Sequence, residues 1–183
     1  QRGKQEVFEP GRAVRLARRL AENNLKHVAE LEEHIDARIP AVHGDQGRFI
    51  QAVLDLLNHA CDVARHRRGR LGRVWLRAHE QNGQAMVVVE DDGPPVPAAQ
   101  RERLFEPFGA SRGGSAQSRG LGLAAAREIV RELGGSLEVR AGRHGGAAFE
   151  VRVPAARAAE PAHPAEPALS HPAEGRARIL WID

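Results

Sequence analysis

The sequence predicts an α+β domain in which helices cover a β-sheet, and three observations predict it. Two long segments in the first half repeat apolar residues at three- and four-residue steps, as amphipathic helices do. Shorter segments in the second half alternate apolar and polar residues, as half-buried strands do. Turn signals rich in glycine separate these segments. The order of elements therefore predicts helices packed on a sheet, with one folded domain in 183 residues.

Composition narrows the functional class. Hydrophobic residues make up 42% of the chain and charged residues 28%, as in globular proteins, and no apolar run approaches the roughly 20 residues of a membrane span. We expect no membrane contact. A signal-peptide pattern is absent, and the single cysteine, Cys61, excludes an internal disulfide, which favours a reducing compartment and a cytoplasmic location. The 27 basic residues are interleaved with 24 acids, so we expect no nucleic-acid binding.

In the first half, the apolar spacing predicts a helix over 8–31 that begins after Pro10, followed by a strand over 31–39. Asp45 is a candidate N-cap for a second helix over 46–65, whose wide apolar stripe faces a core. On this helix Asp55 and His59 lie four residues apart and share a face. By themselves these two residues favour a local pair on a solvated surface over a functional site.

In the second half, strands over 72–78 and 85–90 flank an Asn82-Gly83 turn and form a hairpin. A short helix over 98–105 follows. A longer helix carries Leu123 to Leu133 and ends at Gly134-Gly135. Strands over 137–140 and 147–153 complete the sheet.

The stretch 86–123 carries the strongest functional signal. A strand leads into Glu90-Asp91-Asp92-Gly93-Pro94-Pro95, and a glycine-rich segment, Ser118-Arg119-Gly120-Leu121-Gly122, opens a helix. A carboxylate in a turn where glycine allows close approach suits a polar ring, and glycine at a helix N-terminus suits phosphates. This pattern indicates a nucleotide, although the chain has no P-loop.

These motifs, in this order, resemble the ATP-binding catalytic domain of sensor histidine kinases, within the gyrase, Hsp90 and MutL-like ATPase superfamily. The turn at 91–95 is similar to its Asp-x-Gly-x-Gly box, 105–108 to its Phe box, 119–123 to its second glycine box and 54–60 to its Asn box. The resemblance covers 8–154 and implies a two-layer α/β sandwich with a mixed sheet covered on one face by helices. We place the domain at 1–154.

The resemblance also implies roles for individual residues. Asp91 would accept a hydrogen bond from the adenine amino group, and Asp55 and His59 would take the catalytic and metal-binding positions, with ATP and Mg²⁺ as cofactors. The remaining nucleotide-binding positions would be Gly93, Pro95, Arg112, Arg119, Gly120, Leu121 and Gly122. Phe105 and Phe108 are expected to be packing residues.

Five residues depart from the family pattern, among them Asp55 at the first Asn position of the Asn box and Ser118 at the opening glycine of the second glycine box. His59 replaces the Asn whose oxygen holds Mg²⁺, and imidazole is a poor ligand for that ion. Asn58 is turned about 100° away on the helix and is expected to point elsewhere. Asp62 stands where many family members have a lysine, so the charge at this position is reversed. Nearby arginines would restore the positive charge only if they do not form a solvated turn. Pro95 replaces a glycine and removes one N–H donor.

The C-terminal residues predict a disordered linker over 155–175, because the segment is rich in Ala, Pro and Glu. Residues 176–183 resemble the first strand of a response-regulator receiver domain, which implies a hybrid kinase as the parent protein. None of the nine histidines has the context of a phosphoacceptor, so the implied partners are dimerisation helices bearing that histidine and a receiver domain. Without those helices we expect a monomer.

Three functions remain open at this stage. The first is a working kinase domain that transfers the γ-phosphoryl group of ATP to a histidine outside this chain. The second is a degenerate module that binds nucleotide weakly or not at all and acts by docking. The third is another ATPase of the superfamily. Asp55 favours this function, whereas the Phe box and the receiver-like tail argue against it.

Overall fold

The computed structural model describes residues 5–67, 69–106 and 121–156. Seven strands and three α-helices are present in these ranges, together with two short 3₁₀ turns at Ala98–Gln100 and Glu102–Phe105. In chain order the elements are β1 (Glu6–Phe8), α1 (Pro10–Leu25), β2 (Ala29–Ile35), β3 (Val42–Gly44), α2 (Gln46–Arg65), β4 (Gly72–Gln81), β5 (Gln84–Asp91), α3 (Gly122–Glu132), β6 (Ser136–Ala141) and β7 (Ala147–Pro154).

Five strands form one mixed sheet in the order β2-β4-β5-β7-β6. The β2–β4 pair is parallel, and the other three pairs are antiparallel. The strands β1 and β3 form a separate antiparallel pair. The three helices pack side by side, α1 on α2 and α2 on α3, over one face of the sheet. This arrangement is the predicted two-layer sandwich with a mixed sheet.

Alternation along the central strands decides which side chains face the helices. Val87 and Val89 of β5 and Phe149 and Val151 of β7 are almost completely buried in the main core. The alternate residues Met86 and Val88 lie on the opposite face, where they form a small separate cluster with Ala148. The face without helices is therefore mainly polar, with a narrow apolar strip under longer side chains.

The first helix is shorter than predicted. It begins at Pro10 as expected but ends at Leu25, and β2 begins at Ala29, whereas the predicted helix extended to 31 and the predicted strand occupied 31–39. The apolar residues at 28 and 31 continue the helical spacing by chance. Leu31 instead pairs with Val74 in the sheet, so tertiary pairing overrides the helical pattern.

Two further predictions need correction. The helix predicted over 98–105 is a pair of 3₁₀ turns, in keeping with prolines close before it. The three-residue strands β1 and β3 were not predicted, because each is too short to show alternation. Residues 107–120, and with them Phe108, lie outside the described residues, as do residues 157–183, which hold most of the predicted linker and all of the receiver-like strand.

The elements that carry the central motifs are as predicted. Asp45 caps α2, since its Oδ1 accepts a hydrogen bond of 3.1 Å from the backbone N–H of Arg48. The β4–β5 hairpin turns at Asn82 and Gly83, both with positive φ (53° and 74°), as a type I′ turn requires. None of the helices in the described ranges is long and apolar enough to cross a bilayer.

Candidate functional site

Asp91 ends β5 and faces the helical layer. It continues the inward row of Val87 and Val89, and only 2% of its surface is exposed. Its Oδ1 accepts hydrogen bonds from the backbone N–H of Gly93 at 2.8 Å and of Ala147 at 3.4 Å. Neither bond uses Oδ2, so Oδ2 is the oxygen that can accept from a ligand.

Burial makes the negative charge of Asp91 costly. It raises the pKa of the carboxyl to about 6, while the backbone N–H groups of Gly93 and Ala147 oppose the rise and the neighbouring acids Asp92 and Glu90 add to it. A buried acceptor with a perturbed pKa at the end of a strand is a candidate binding group.

Two glycines allow the backbone to close around Asp91. A Cβ atom on Gly93 would collide with Val63 of α2 and with Asp91 itself, and one on Gly146 would collide with the Asp91 carbonyl. Any larger residue at either position would displace the carboxylate. Pro95 is exposed.

A cavity of about 300 Å³ lies between α2 and the start of α3. It brings together the predicted residues Asp55, His59 and Gly122. Asn24, Asn58, Asp62, Arg65 and Leu123 complete its lining. Burial raises the pKa of Asp55, and a hydrogen bond of 2.8 Å from Gln51 opposes that rise. Leu121, exposed at the N-cap of α3, offers no side-chain cap to the first N–H groups of this helix, and such groups at a helix N-terminus can bind an anion.

His59 is a packing residue as well as a lining residue. Its ring meets the ring of Phe149 edge-on, with centroids 5.1 Å apart and an interplanar angle of 76°. Burial lowers its pKa to about 4, against a smaller opposite effect of Asp62, so the imidazole is neutral at neutral pH. His59 contacts Phe149 on the helix-facing side of β7, and Asp91 lies on the same side of β5, although Asp91 is not among the residues that line this cavity.

Asn58 lies closer to this cavity than the sequence suggested. Its Oδ1 accepts a hydrogen bond of 3.1 Å from Asn24 of α1, and the side chain borders the cavity. The expectation that Asn58 points elsewhere is wrong, because Asn58 and its partner Asn24 line the same cavity as Asp55 and His59. Among the described residues, no group of three or more His, Cys, Asp or Glu is arranged to hold a metal.

The acids on either side of Asp91 point to the opposite face of the sheet. Glu90 is completely buried there, bonded to Arg77 at 2.9 Å and to the backbone N–H of His144 at 2.8 Å. Asp92 accepts hydrogen bonds from Arg70 at 2.6 Å and from the backbone N–H of Arg73 at 3.0 Å. No role was predicted for Glu90 or Asp92. Strand alternation could have shown that both lie on the face opposite to Asp91.

The arginines at and after the end of α2 that the structure describes, Arg65, Arg67 and Arg70, do not replace the missing lysine. Arg67 and Arg70 both form ion pairs with Asp92, on the face of the sheet away from the cavity. Arg65 does line the cavity, but it pairs with Asp62 at 2.6 Å. The cavity therefore gains little net positive charge from this turn.

The Phe box begins with a buried residue. Phe105 contacts Phe149 edge-on at 6.4 Å, and the Arg127 guanidinium lies 4.7 Å above its ring. Its packing role is as expected. The predicted phosphate contacts Arg112, Arg119 and Gly120 lie outside the described residues.

Comparison with known proteins gives a consistent result. Residues 44–157 match the family described as histidine kinase-, DNA gyrase B-, and HSP90-like ATPase. The C4-dicarboxylate transport sensor protein DctB of Rhizobium meliloti is 35% identical over 102 residues, which are 56% of this chain and 16% of DctB. The chain thus spans a small part of this relative, and the match concerns a domain.

Solved structures agree in fold. The mycobacterial sensor histidine kinase MprB superposes with a TM-score of 0.67 at 27% identity, over 82% of this chain and 97% of that one. A histidine kinase ThkA, solved in complex with the response regulator protein TrrA, superposes with a TM-score of 0.67 over 83% of this chain and 42% of that one. At 21% identity the second likeness concerns the fold alone. The chain belongs to the histidine kinase-, DNA gyrase B- and HSP90-like ATPase family and is the ATP-binding catalytic domain of a histidine kinase.

Proposed function

We propose that this domain binds ATP with Asp91 reading the adenine ring and delivers the γ-phosphoryl group to a histidine on dimerisation helices outside the chain. One observation carries the proposal above the others. The buried Asp91 carboxylate lies on the helix-facing side of the sheet, the side on which Asp55, His59 and the start of α3 line their cavity. The proposed base acceptor and the proposed phosphate-binding helix end therefore lie on the same side of the sheet.

Each described residue has a role in this proposal. Oδ2 of Asp91 accepts the adenine amino hydrogen, while Gly93 keeps room for the ring. The N–H groups at Leu121 and Gly122 meet the phosphates, and Asp55, which lies against Gly122, holds a metal or orients a water. Phosphoryl transfer depends on such positioning and on charge neutralisation more than on covalent chemistry. Arg112, Arg119 and Gly120 stay proposed phosphate contacts, and Pro95 a stiffening residue of the adenine loop.

Members of this family generally bind ATP with Mg²⁺, which the residues present here fit only in part. Asp55 supplies a hard oxygen, whereas His59 supplies a neutral imidazole whose ring packs on Phe149. Mg²⁺ prefers oxygen ligands. We therefore infer that Mg²⁺ contributes less to nucleotide binding here than an asparagine at position 59 would allow.

The parent protein is proposed to be a two-component sensor kinase. ThkA, which shares this fold, has been solved with a response regulator, and a receiver domain is the corresponding partner proposed here. The receiver-like residues 176–183 support a hybrid parent that carries its receiver in the same chain, joined by the linker at 155–175. The domain itself is proposed to occupy 1–154.

A degenerate, non-catalytic module is the alternative, and His59 is the observation that favours it. An imidazole fixed in an aromatic contact and an Asp62–Arg65 pair occupy positions where the family places a metal ligand and a cation. Such a module would act by docking to its partner domains.

Calorimetric titration of the chain with ATP and with ADP, each with and without Mg²⁺, tests the proposal. Saturable binding of both nucleotides at micromolar concentration is expected. A strong dependence on Mg²⁺ would count against the degenerate alternative and against the inferred weakness of the metal site. If neither nucleotide binds, the proposed function is wrong and the degenerate module stands.

A further inference from the structure

His144 lies in the turn between β6 and β7, on the face of the sheet away from the helices. Its backbone N–H donates to Oε1 of Glu90 at 2.8 Å, and its ring Nδ1 lies 2.9 Å from the same oxygen. Burial alone would raise the pKa of Glu90, but these bonds and the Arg77 guanidinium hold it below its ordinary value. Because an ionised carboxylate only accepts, Nδ1 carries a hydrogen and donates it.

The ring of His144 also stacks on an aromatic side chain of the neighbouring strand β4. It stacks on the indole of Trp75 with centroids 3.8 Å apart and an interplanar angle of 10°. Trp75 is 6% exposed, and its Nε1 donates to Glu32 of β2 at 3.0 Å. His144 is thus fixed by two neighbouring strands, β4 through the stack and β5 through Glu90.

The same turn fixes Asp91 on the opposite face. Gly142 and Gly146 close it with a backbone bond of 2.8 Å, and both pass so near the end of β5 that a Cβ on either would collide with Glu90 or Asp91. Ala147, the next residue, donates to Oδ1 of Asp91. A shift of the turn therefore moves a donor of Asp91 directly.

We propose that His144 is a positioning residue for nucleotide recognition: through its bond to Glu90 it holds the β6–β7 turn against β5 and so keeps the Asp91 carboxylate aimed at adenine. The proposal rests on the proposed function, because it concerns the same adenine contact. His144 touches no ligand itself. It acts from the far face of the sheet.

Two substitutions separate the bond from the stack. His144→Asn keeps a side-chain N–H near the position of Nδ1 but removes the ring. His144→Phe keeps a ring over Trp75 but removes the side-chain donor, so that only the backbone N–H bond to Glu90 remains. His79→Ala is the matched control, because His79 lies on the same face of β4, opposite Met86 and away from Asp91. Thermal melting of every variant shows whether a loss of binding comes from unfolding.

The affinity of each variant is measured for ADP and for inosine diphosphate, which has a carbonyl oxygen in place of the adenine amino group. For the parent, we expect ADP to bind more tightly than inosine diphosphate. His144→Phe should weaken ADP binding about three- to tenfold, the worth of one hydrogen bond. It should leave inosine diphosphate unchanged, and His144→Asn and His79→Ala should keep the parent's preference. In an Asp91→Asn background His144→Phe should have no further effect, because the contact it positions is already altered.

The outcomes distinguish the two claims. If the parent does not prefer ADP, Asp91 does not read adenine, and both the proposed function at this residue and the positioning role are wrong. If the parent prefers ADP but His144→Phe binds both nucleotides as the parent does, only the positioning role is wrong. Equal losses for ADP and inosine diphosphate, or an equal loss in His144→Asn, would likewise overturn it.

Discussion

At the scale of single residues, three adjacent acids at the end of β5 have three different environments. Asp91 faces the helices with two backbone donors on one oxygen, while Glu90 and Asp92 face away and are neutralised by arginines. The pKa values divide accordingly, since that of Asp91 is raised and those of its neighbours are lowered. Among these three acids, the unfavourable burial of a negative charge therefore falls on Asp91, the residue proposed to bind the ligand.

This cost predicts how stability depends on pH. The pKa of Asp91 is about 6 in the folded chain against an ordinary 3.8, so its contribution to stability is complete below about pH 4 and is lost as the pH rises through 6. Asp91→Asn removes the cost. We expect the variant to be more stable than the nucleotide-free parent at pH 8, by up to about 3 kcal/mol, and equal to it near pH 4.

Urea denaturation at pH 4, 6 and 8 measures this difference. A constant difference between variant and parent across the three pH values would mean that Asp91 does not titrate in this range.

At position 59 we expect His59→Asn to strengthen ATP binding in Mg²⁺. The amide oxygen restores a hard ligand next to Asp55, whereas the neutral imidazole of the parent offers nitrogen. A gain of about three- to tenfold is the worth of one polar contact. Calorimetry in Mg²⁺, with Mn²⁺ and Zn²⁺ as softer ions for comparison, provides the measurement.

The control for position 59 is the same titration without metal, in which the parent and His59→Asn should bind ATP with equal affinity. Unchanged affinity in Mg²⁺ would mean that the ion has no part in binding at this site, and the proposed roles of both Asp55 and His59 would then be withdrawn.

The candidate residues Asp55, His59 and Asp91 were singled out by the family resemblance and not by spacing alone. Spacing predicts that Asp55 and His59 share a helical face and that Asp91 follows the alternation of its strand, as the structure shows. The contact of His59 with Phe149 and the anchor of Glu90 on His144 were not predicted, since each joins residues more than 50 positions apart. Spacing along the chain does not predict contacts between residues so far apart.

At the scale of elements, α2 carries Asp55 and His59, and its N-terminus depends on Asp45. Asp45→Ala removes the acceptor for the Arg48 N–H and should destabilise the domain by about 1 kcal/mol. The melting temperature should then fall by about 2–4 °C. Asp45→Asn, which keeps a capping oxygen, serves as the control and should melt close to the parent. Equal losses in both variants would mean that charge, and not capping, holds this end.

The elements themselves were predictable to different degrees. The boundaries of α2 and the β4–β5 hairpin follow from strong local signals, a capping aspartate and an Asn-Gly turn. The end of α1 was wrong because apolar residues at 28 and 31 fit both a helix and the following strand. Only pairing with β4, which is distant in sequence, decides between them.

At the scale of the whole molecule, the proposed base reader, Asp91, belongs to the sheet, and the proposed phosphate-binding helix end belongs to the helical layer. On the other face of the sheet, Glu90 is the residue through which the proposed positioning by His144 acts. Because the dimerisation helices implied by the family resemblance are not among the motifs of this chain, we expect a monomer. Light scattering at micromolar concentration should give a mass near 19.9 kDa. A stable mass of twice that value would contradict the expectation.

The central claim is that Asp91 reads adenine, and a calorimetric titration of ATP into parent and Asp91→Asn at pH 7.5 tests it most directly. The account predicts saturable binding by the parent and a loss of about 1 to 3 kcal/mol in binding free energy for the variant, since an amide must turn its oxygen towards the base. The variant should remain folded, as its melting curve will report. Equal affinity of two folded proteins would contradict the account and leave Asp91 a turn residue.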